Sequence, residues 1–293
     1  MLIYIITSVF LHITTWVLSD VSRRPVFDGT LRWTDTRHPS ADIKAVNFKL
    51  RHTLYHNHTS SGCRSGIRFS ARPLPLTALA SFPGTGNTWT RHLIEQMTGL
   101  ATGSVHNARI LRSVFCGEER ADNTVVAIKT HLRYPSNTFT PDKVLLIIRN
   151  PYGAIVANFN RIYSGHPKGK APTEAWRKYW LSECRRFRRD WLPFYKSWLK
   201  ADHLMPVVYE NLLDNLEKEL ARILSFLGVP GDVLRAVADP EGCFHRRNTS
   251  SSLQHYTPSQ RRRINKIIDH THDIFSKRFS QEEFGYNIKN WKV

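Results

Sequence analysis

From Leu76 onward the chain alternates short, wholly apolar runs with longer helical ones, and no other feature restricts its folding so strongly. The runs predict strands at 76–82, at Val125-Val-Ala-Ile128, at Val144-Leu-Leu-Ile-Ile148 and at Pro206-Val-Val-Tyr209. Around them the spacing predicts helices over about 87–99, 151–163, 172–200 and 211–227, the last of these capped by Gly228. A final helix opens at Thr257-Pro258, a capping residue followed by proline in the first turn. Strands that are apolar at successive positions are buried on both faces, which requires a parallel sheet with helices above and below it. The expected class is therefore α/β, three layers with a central parallel sheet. Ligands of such sheets bind beyond the carboxyl ends of the strands, so the chemistry is sought there.

Three strand ends carry informative residues. After the first strand comes Pro83-Gly-Thr-Gly-Asn-Thr-Trp89, leading directly into a helix. Backbone N–H groups around two glycines at a helix N-terminus seat an anionic group, with Thr85, Asn87 and Thr88 offering side-chain donors. A capped strand-to-helix turn without a ligand is the plainer reading of this stretch. It is not a triphosphate loop, because the G-x-x-x-x-G-K-[ST] lysine is missing and no acidic magnesium ligand follows. That absence removes a nucleotide kinase from consideration. Lys129-Thr-His131 leaves the second strand, and residues two apart point the same way when extended. A histidine beside a fixed cation suits proton abstraction from an alcohol, although a lone histidine at a strand end is more often structural. Arg149-Asn-Pro151 follows the third strand, where a guanidinium can fork onto phosphate or pair with a carboxylate. Tyr209 ends the fourth strand and is placed either to stack on a base or to fill the core. Arg246 and Arg247 lie in a polar loop, where solvated charge is the ordinary explanation. Asp269-His-Thr-His-Asp273 looks metal-like, but residues i and i+2 of a helix do not share a face, and no metal is expected.

The 293 residues carry 42 Lys plus Arg against 24 Asp plus Glu, a formal charge of +18 that favours anionic partners without choosing among them. Residues 1–19 contain the uncharged apolar run Leu2–Leu18, which reads as a signal anchor or a cleaved signal peptide. Arg23 and Arg24 follow this run and no basic residue precedes it, so charge bias does not support a lumenal C-terminus. Residues 20–75 are polar and aperiodic and read as a stem, leaving 76–288 as the folded domain. Four widely spaced cysteines (Cys63, Cys116, Cys184 and Cys243) leave up to two disulfides in three connectivities, or free thiols.

Taken together, the motifs resemble the sulfotransferases that use 3'-phosphoadenosine 5'-phosphosulfate (PAPS). The match is nearest to the WSC-domain-containing, or sialate O-sulfotransferase, branch. Phe82-Pro-Gly-Thr-Gly-Asn-Thr-Trp89, Lys129-Thr-His131, Arg149-Asn-Pro151 with Phe159-Asn-Arg161, and the EGCFHRR stretch carry that resemblance, over about 76–286. It implies a P-loop NTPase-like sulfotransferase fold with PAPS as co-substrate and no metal. His131 and Lys129 become the catalytic pair. Gly84, Thr85, Gly86, Asn87, Thr88, Trp89, Arg149, Tyr209, Arg246 and Arg247 become the co-substrate site. The implied partner is a glycan or glycoprotein hydroxyl, sialylated chains included, and not nucleic acid; the implied location is the Golgi membrane or the secretory lumen. The chain departs from the common pattern at Gly84, where a lysine is usual, and at Ala157, where a serine is usual. Asn158 is the candidate to replace that serine, and Lys129 the candidate to take over the charge. Asn248 begins a sequon that would block the site if glycosylated, and it is expected to be unused. No cysteine-rich WSC module is read in these residues. The competing reading is a catalytically silent relative that binds acidic glycans.

Overall fold

The apolar strands assemble as their sequence requires. The computed structural model describes residues 63, 66–164, 169–242 and 252–293, all within one compact unit. Five strands form one sheet: β1 (Thr77–Ser81), β2 (Gly103–Ser104), β3 (Ile128–Thr130), β4 (Lys143–Ile148) and β5 (Leu204–Val208). Their order is β2-β3-β1-β4-β5, and every pairing is parallel. The chain leaves central β1 to build one side of the sheet, then crosses to β4 on the other side. The carboxyl end of β1 is thus the point where connections diverge, and a crevice forms there.

Successive residues of each strand enter opposite layers, as a period of two requires. Leu79, Leu145, Ile147 and Val207 pack against α1 (Asn87–Thr98), α6 (Leu216–Leu227) and α7 (Val233–Ala238). Ala78, Ala80, Val144, Leu146 and Ile148 face α3 (Pro151–Tyr163), α4 (Thr173–Trp198) and α8 (Pro258–Ser276). The second layer holds the aromatic side chains of α4: Trp180, Phe187, Trp191, Phe194 and Trp198 are buried there. The chain's last segment closes on it, with Trp291 buried in the same core. The short helices α2 (Arg109–Arg112), α5 (Tyr209–Asp214) and α9 (Gln281–Phe284) complete the fold.

Some boundaries move. The second strand predicted from sequence is β3, at Ile128–Thr130, three residues beyond the start of its apolar run. Val125 and Val126 are buried on the approach to the sheet without joining the ladder. The predicted helix at 211–227 begins earlier, at Tyr209, and breaks at Asn215, whose φ of −142° is not helical. Thr257 forms a capping box with Gln260 at the start of α8. Residues 66–74, read from sequence as lead-in, bond onto the fold: Arg68 N–H donates to Gly99 O and Leu74 N–H to Asn123 O. Cys63 pairs with Cys116, fastening this segment across 53 residues, and Cys184 is a buried free thiol. Residues 1–62 and 243–251, with the apolar N-terminal run, Cys243, Arg246, Arg247 and the Asn248 sequon, lie outside the described residues. Among the described residues no helix is long and apolar enough to cross a membrane.

Candidate active site

The loop that follows β1 is clamped at its start. Phe82 sits among Phe187, Trp191 and Phe194, with ring centroids 4.9, 5.3 and 5.6 Å away. The chain then turns through Gly84 and Gly86 at φ values of 90° and 100°, a region costly for residues with a side chain. Space forbids a side chain as well. A Cβ on Gly84 would stand 2.2 Å from the Ala154 carbonyl oxygen of α3, and one on Gly86 would stand 2.5 Å from the Tyr209 ring. Gly84 therefore has no room for the lysine that the resemblance leads one to expect.

Gly86 caps α1, and no side chain occupies the cap. The N–H groups of Gly86, Asn87 and Thr88 have no protein acceptor among the described residues. Free N–H groups and the positive end of the helix dipole make this a seat for an anion. The side chains of the loop need correcting. Thr85 turns inward, donating to Phe82 O at 2.7 Å, and Asn87 donates to Leu79 O and Ser81 Oγ at 2.9 and 3.1 Å. Positive φ at Gly84 and Gly86 turns Thr85 between them and Asn87 just after them toward the sheet, so their donors hold the loop. Thr88 alone of the three keeps an outward, half-buried side chain.

On one side of this seat stand Lys129 and His131. Lys129 is buried in β3, and the loss of water pushes its pKa down to about 7, with Arg91 adding repulsion. His131 lies just past β3, and its Nδ1 is 2.7 Å from Ser81 O. A carbonyl only accepts, so the proton sits on Nδ1 and Nε2 keeps a lone pair. Burial, together with the charge of Lys129, holds the imidazole neutral well below its ordinary pKa. His131 is thereby prepared to accept a proton. Ser81 joins base and seat, since its carbonyl holds His131 while its hydroxyl accepts from Asn87. A second histidine was not foreseen. His106 Nε2 accepts the backbone N–H of His131 at 3.1 Å, and the two rings stack with centroids 5.2 Å apart. Beneath them a buried ion pair, Arg91 to Glu118 at 2.6 Å, ties α1 to the segment after α2.

On the other side, Arg149 donates to Gly84 O at 3.2 Å and lies over the face of Tyr209, 4.0 Å from its centroid. Tyr209 opens α5 instead of ending β5, and it packs edge-on against Trp89. Trp89 is buried and donates Nε1–H to Pro240 O, so it braces the back of the loop. Glu210 was also missed. Its Oε1 accepts the Asn150 N–H at 2.9 Å, and burial pushes its pKa up to about 7 against the opposing pull of Arg149. Asn158, proposed to replace a serine, gives its Oδ1 to Arg161, with bonds of 2.8 and 3.3 Å. Among the described residues no three His, Cys, Asp or Glu side chains gather as a metal site. Ser81 was visible in the sequence only as a polar residue closing an apolar strand; His106 and Glu210 offered no local signal.

Comparison with known proteins shows the family and the fold. The family model described as "Sulfotransferase family" matches residues 79–232, which span the seat, the Lys129–His131 pair and Arg149. The WSCD family member CG9164 of Drosophila melanogaster is 34% identical over 249 residues, covering 80% of this chain and 76% of that one. A second relative, WSCD family member AAEL009094 of Aedes aegypti, is 35% identical over 245 residues, 80% and 74% of the two chains. The crystal structure of mouse sulfotransferase SULT7A1 complexed with PAP superposes with a TM-score of 0.50 at 18% identity, covering 76% of this chain and 90% of that one, a likeness of fold. On these matches the chain belongs to the sulfotransferase family and stands with its WSCD members.

Proposed function

We propose that the protein moves a sulfuryl group from PAPS to a hydroxyl of an acceptor, most naturally a glycan. The observation that carries this reading is the tautomer of His131. Its Nδ1–H is spent on Ser81 O, so Nε2 is free to take a proton beside an uncapped helix N-terminus. The PAP-bound mouse relative supports a PAPS-type donor. The residues fit such a donor: the N–H groups of Gly86, Asn87 and Thr88 suit the 5'-phosphosulfate, and Arg149 on the far side suits a second phosphate. Tyr209 and Trp89 form the wall beneath. Arg246 and Arg247 complete this assignment as proposed phosphate ligands.

In the reaction the acceptor oxygen bonds to sulfur while its proton passes to Nε2 of His131. The bond from sulfur to the 5'-phosphate oxygen breaks, and the leaving phosphate keeps the electron pair. Lys129 and the loop N–H groups offset negative charge that grows on the transferring group and the leaving oxygen. Replacing His131 by Ala is expected to lower turnover by about 10²–10⁴-fold while PAP binding is retained. The measurement is transfer of radiolabelled sulfate onto a glycan panel, together with PAP-induced thermal stabilisation. Unchanged turnover in His131→Ala would remove the base. Stabilisation by PAP with no transfer by the unaltered protein would instead favour the silent glycan binder.

We place this reaction in the secretory lumen or Golgi. The Cys63–Cys116 disulfide supports an oxidising compartment, and the +18 charge favours an acidic acceptor such as a sialylated chain.

A further inference from the structure

The anion seat carries no cation of its own. From Pro83 to Trp89 there is no basic residue, and Gly84 has space for none. Arg149 donates to Gly84 O and lies over the Tyr209 ring, on the far side of the loop, where it suits the second phosphate and not the sulfuryl group. Lys129 serves one side of the transferring group, which leaves the side toward α3.

That side is occupied by one face of α3. Ala154 and Asn158 both touch the space above Gly84: the Cβ that glycine lacks would lie 2.2 Å from Ala154 O and 3.0 Å from Asn158 Cβ. Arg161 stands one turn further along the same face, three residues on. Its guanidinium folds back on Asn158 Oδ1 through Nη2 and Nε, toward the loop and not away from it. Among the described residues no carboxylate lies within ion-pair distance of Arg161. Glu183, the nearest acidic influence, is held by Arg186 at 2.9 Å and by the Tyr163 hydroxyl.

The charge of Arg161 is felt at the reacting centre, where it lowers the pKa of Lys129, His131 and His106 alike. Arg161 is also exposed to solvent, although crowding protein lowers its own pKa. Lys129 and Arg161 are thus the cations beside His131 and His106, two imidazoles that burial keeps neutral. Glu118, the acidic group beside them, is already paired with Arg91.

We propose that Arg161 touches the transferring sulfuryl group and supplies, from α3, the fixed positive charge that the glycine loop does not carry. This rests on the sulfotransfer reading above. As sulfur changes partners, its equatorial oxygens gain charge, and a planar guanidinium matches two such oxygens with parallel N–H donors. Asn158 acts as the positioning residue that aims the fork.

The test is Arg161→Gln and Arg161→Lys in the full chain. Single-turnover sulfate transfer, acceptor KM, and the affinities for PAP and PAPS are measured, and melting temperature checks the fold. PAP lacks the sulfuryl group, so its binding is expected to survive in both variants. Arg161→Gln should lower the transfer rate by about 10²-fold, the effect of removing one preorganised donor to developing charge. It should also erase any preference for PAPS over PAP, a readout that needs no turnover. Arg161→Lys should keep an intermediate rate, with the charge but not the fork. A wild-type transfer rate in Arg161→Gln overturns the proposal. So does a loss of PAP affinity, which would assign Arg161 to a phosphate, or a rise in acceptor KM alone, which would assign it to the acceptor. Absence of transfer by the unaltered protein, with the preference for PAPS intact and dependent on Arg161, would overturn the reaction while keeping the contact.

Discussion

The tightest constraint in the site is Gly84, and replacing it by Ala isolates what the constraint is worth. Two costs add. A residue with a side chain at φ of 90° is strained by about 1–2 kcal/mol. The new methyl would also stand 2.2 Å from Ala154 O, a backbone atom that cannot rotate away, so α3 or the loop must shift. Overpacking of this kind costs about 1–3 kcal/mol, for a total of about 2–5 kcal/mol. For a domain of this size that corresponds to a fall in melting temperature of roughly 4–20 °C. Gly66 supplies an internal control. Its φ of 80° imposes the same conformational strain, while its Cβ would meet nothing nearer than Arg235 Nη2 at 3.9 Å. Gly66→Ala should therefore show only the first cost. The assay is thermal unfolding followed by circular dichroism, with and without PAP. Gly84→Ala should melt well below Gly66→Ala and lose its stabilisation by PAP, because the displaced loop no longer aims its N–H groups together. Gly84→Lys should behave no better and should not raise transfer. Equal melting of the two alanine variants would refute the packing argument.

Two further outcomes follow from titration. Burial leaves Lys129 with a pKa of about 7, and a bound anion favours its charged form, so binding takes up a proton above that pH. PAP affinity should be steady below about pH 7 and weaken by up to about tenfold per unit above it. Calorimetry between pH 7.5 and 9 checks this, and an equal slope in Lys129→Met would count against it. Glu210 titrates the other way: its folded pKa of about 7 lies above the ordinary 4.5, so the folded protein holds this proton more tightly than the unfolded chain does. Its contribution to stability is present below pH 4.5 and is lost as pH rises through 7. Glu210→Gln keeps an acceptor for the Asn150 N–H and removes the charge. It should match the unaltered protein at low pH and exceed it by on the order of 3 kcal/mol at pH 8, read as a growing gap in melting temperature. A constant gap across that range would show that Glu210 is not held protonated by burial.

Much of the candidate site was legible because its residues lie close to a strand end. Pro83–Trp89, Lys129, His131 and Arg149 are adjacent in sequence to apolar runs, and a parallel sheet gathers such ends. The errors have one source. Thr85 and Asn87 looked like donors to a ligand, yet they bond to Phe82 O, Leu79 O and Ser81 Oγ. Side-chain direction in a strand or helix follows from its period, but in a loop with two residues at positive φ it follows from the turn. The second strand was misplaced at 125–128 for a related reason. Burial alone makes Val125 and Val126 apolar, and hydrophobicity does not reveal which residues share a ladder.

By itself the sequence determined the layered α/β class, the chain order of the strand-end motifs, and the absence of a triphosphate loop. These rest on periodicity and on which residue types are present, both local properties. Only the tertiary structure decided how those motifs work. His131 owes its Nδ1–H tautomer to the carbonyl of Ser81, 50 residues earlier, and its backbone is held by His106. Gly84 is required because Ala154, 70 residues later, leaves it no space, and the same helix brings Asn158 against the loop. Each of these is a contact between segments far apart in the chain, created when helices pack on the sheet, and no pattern within one segment encodes it.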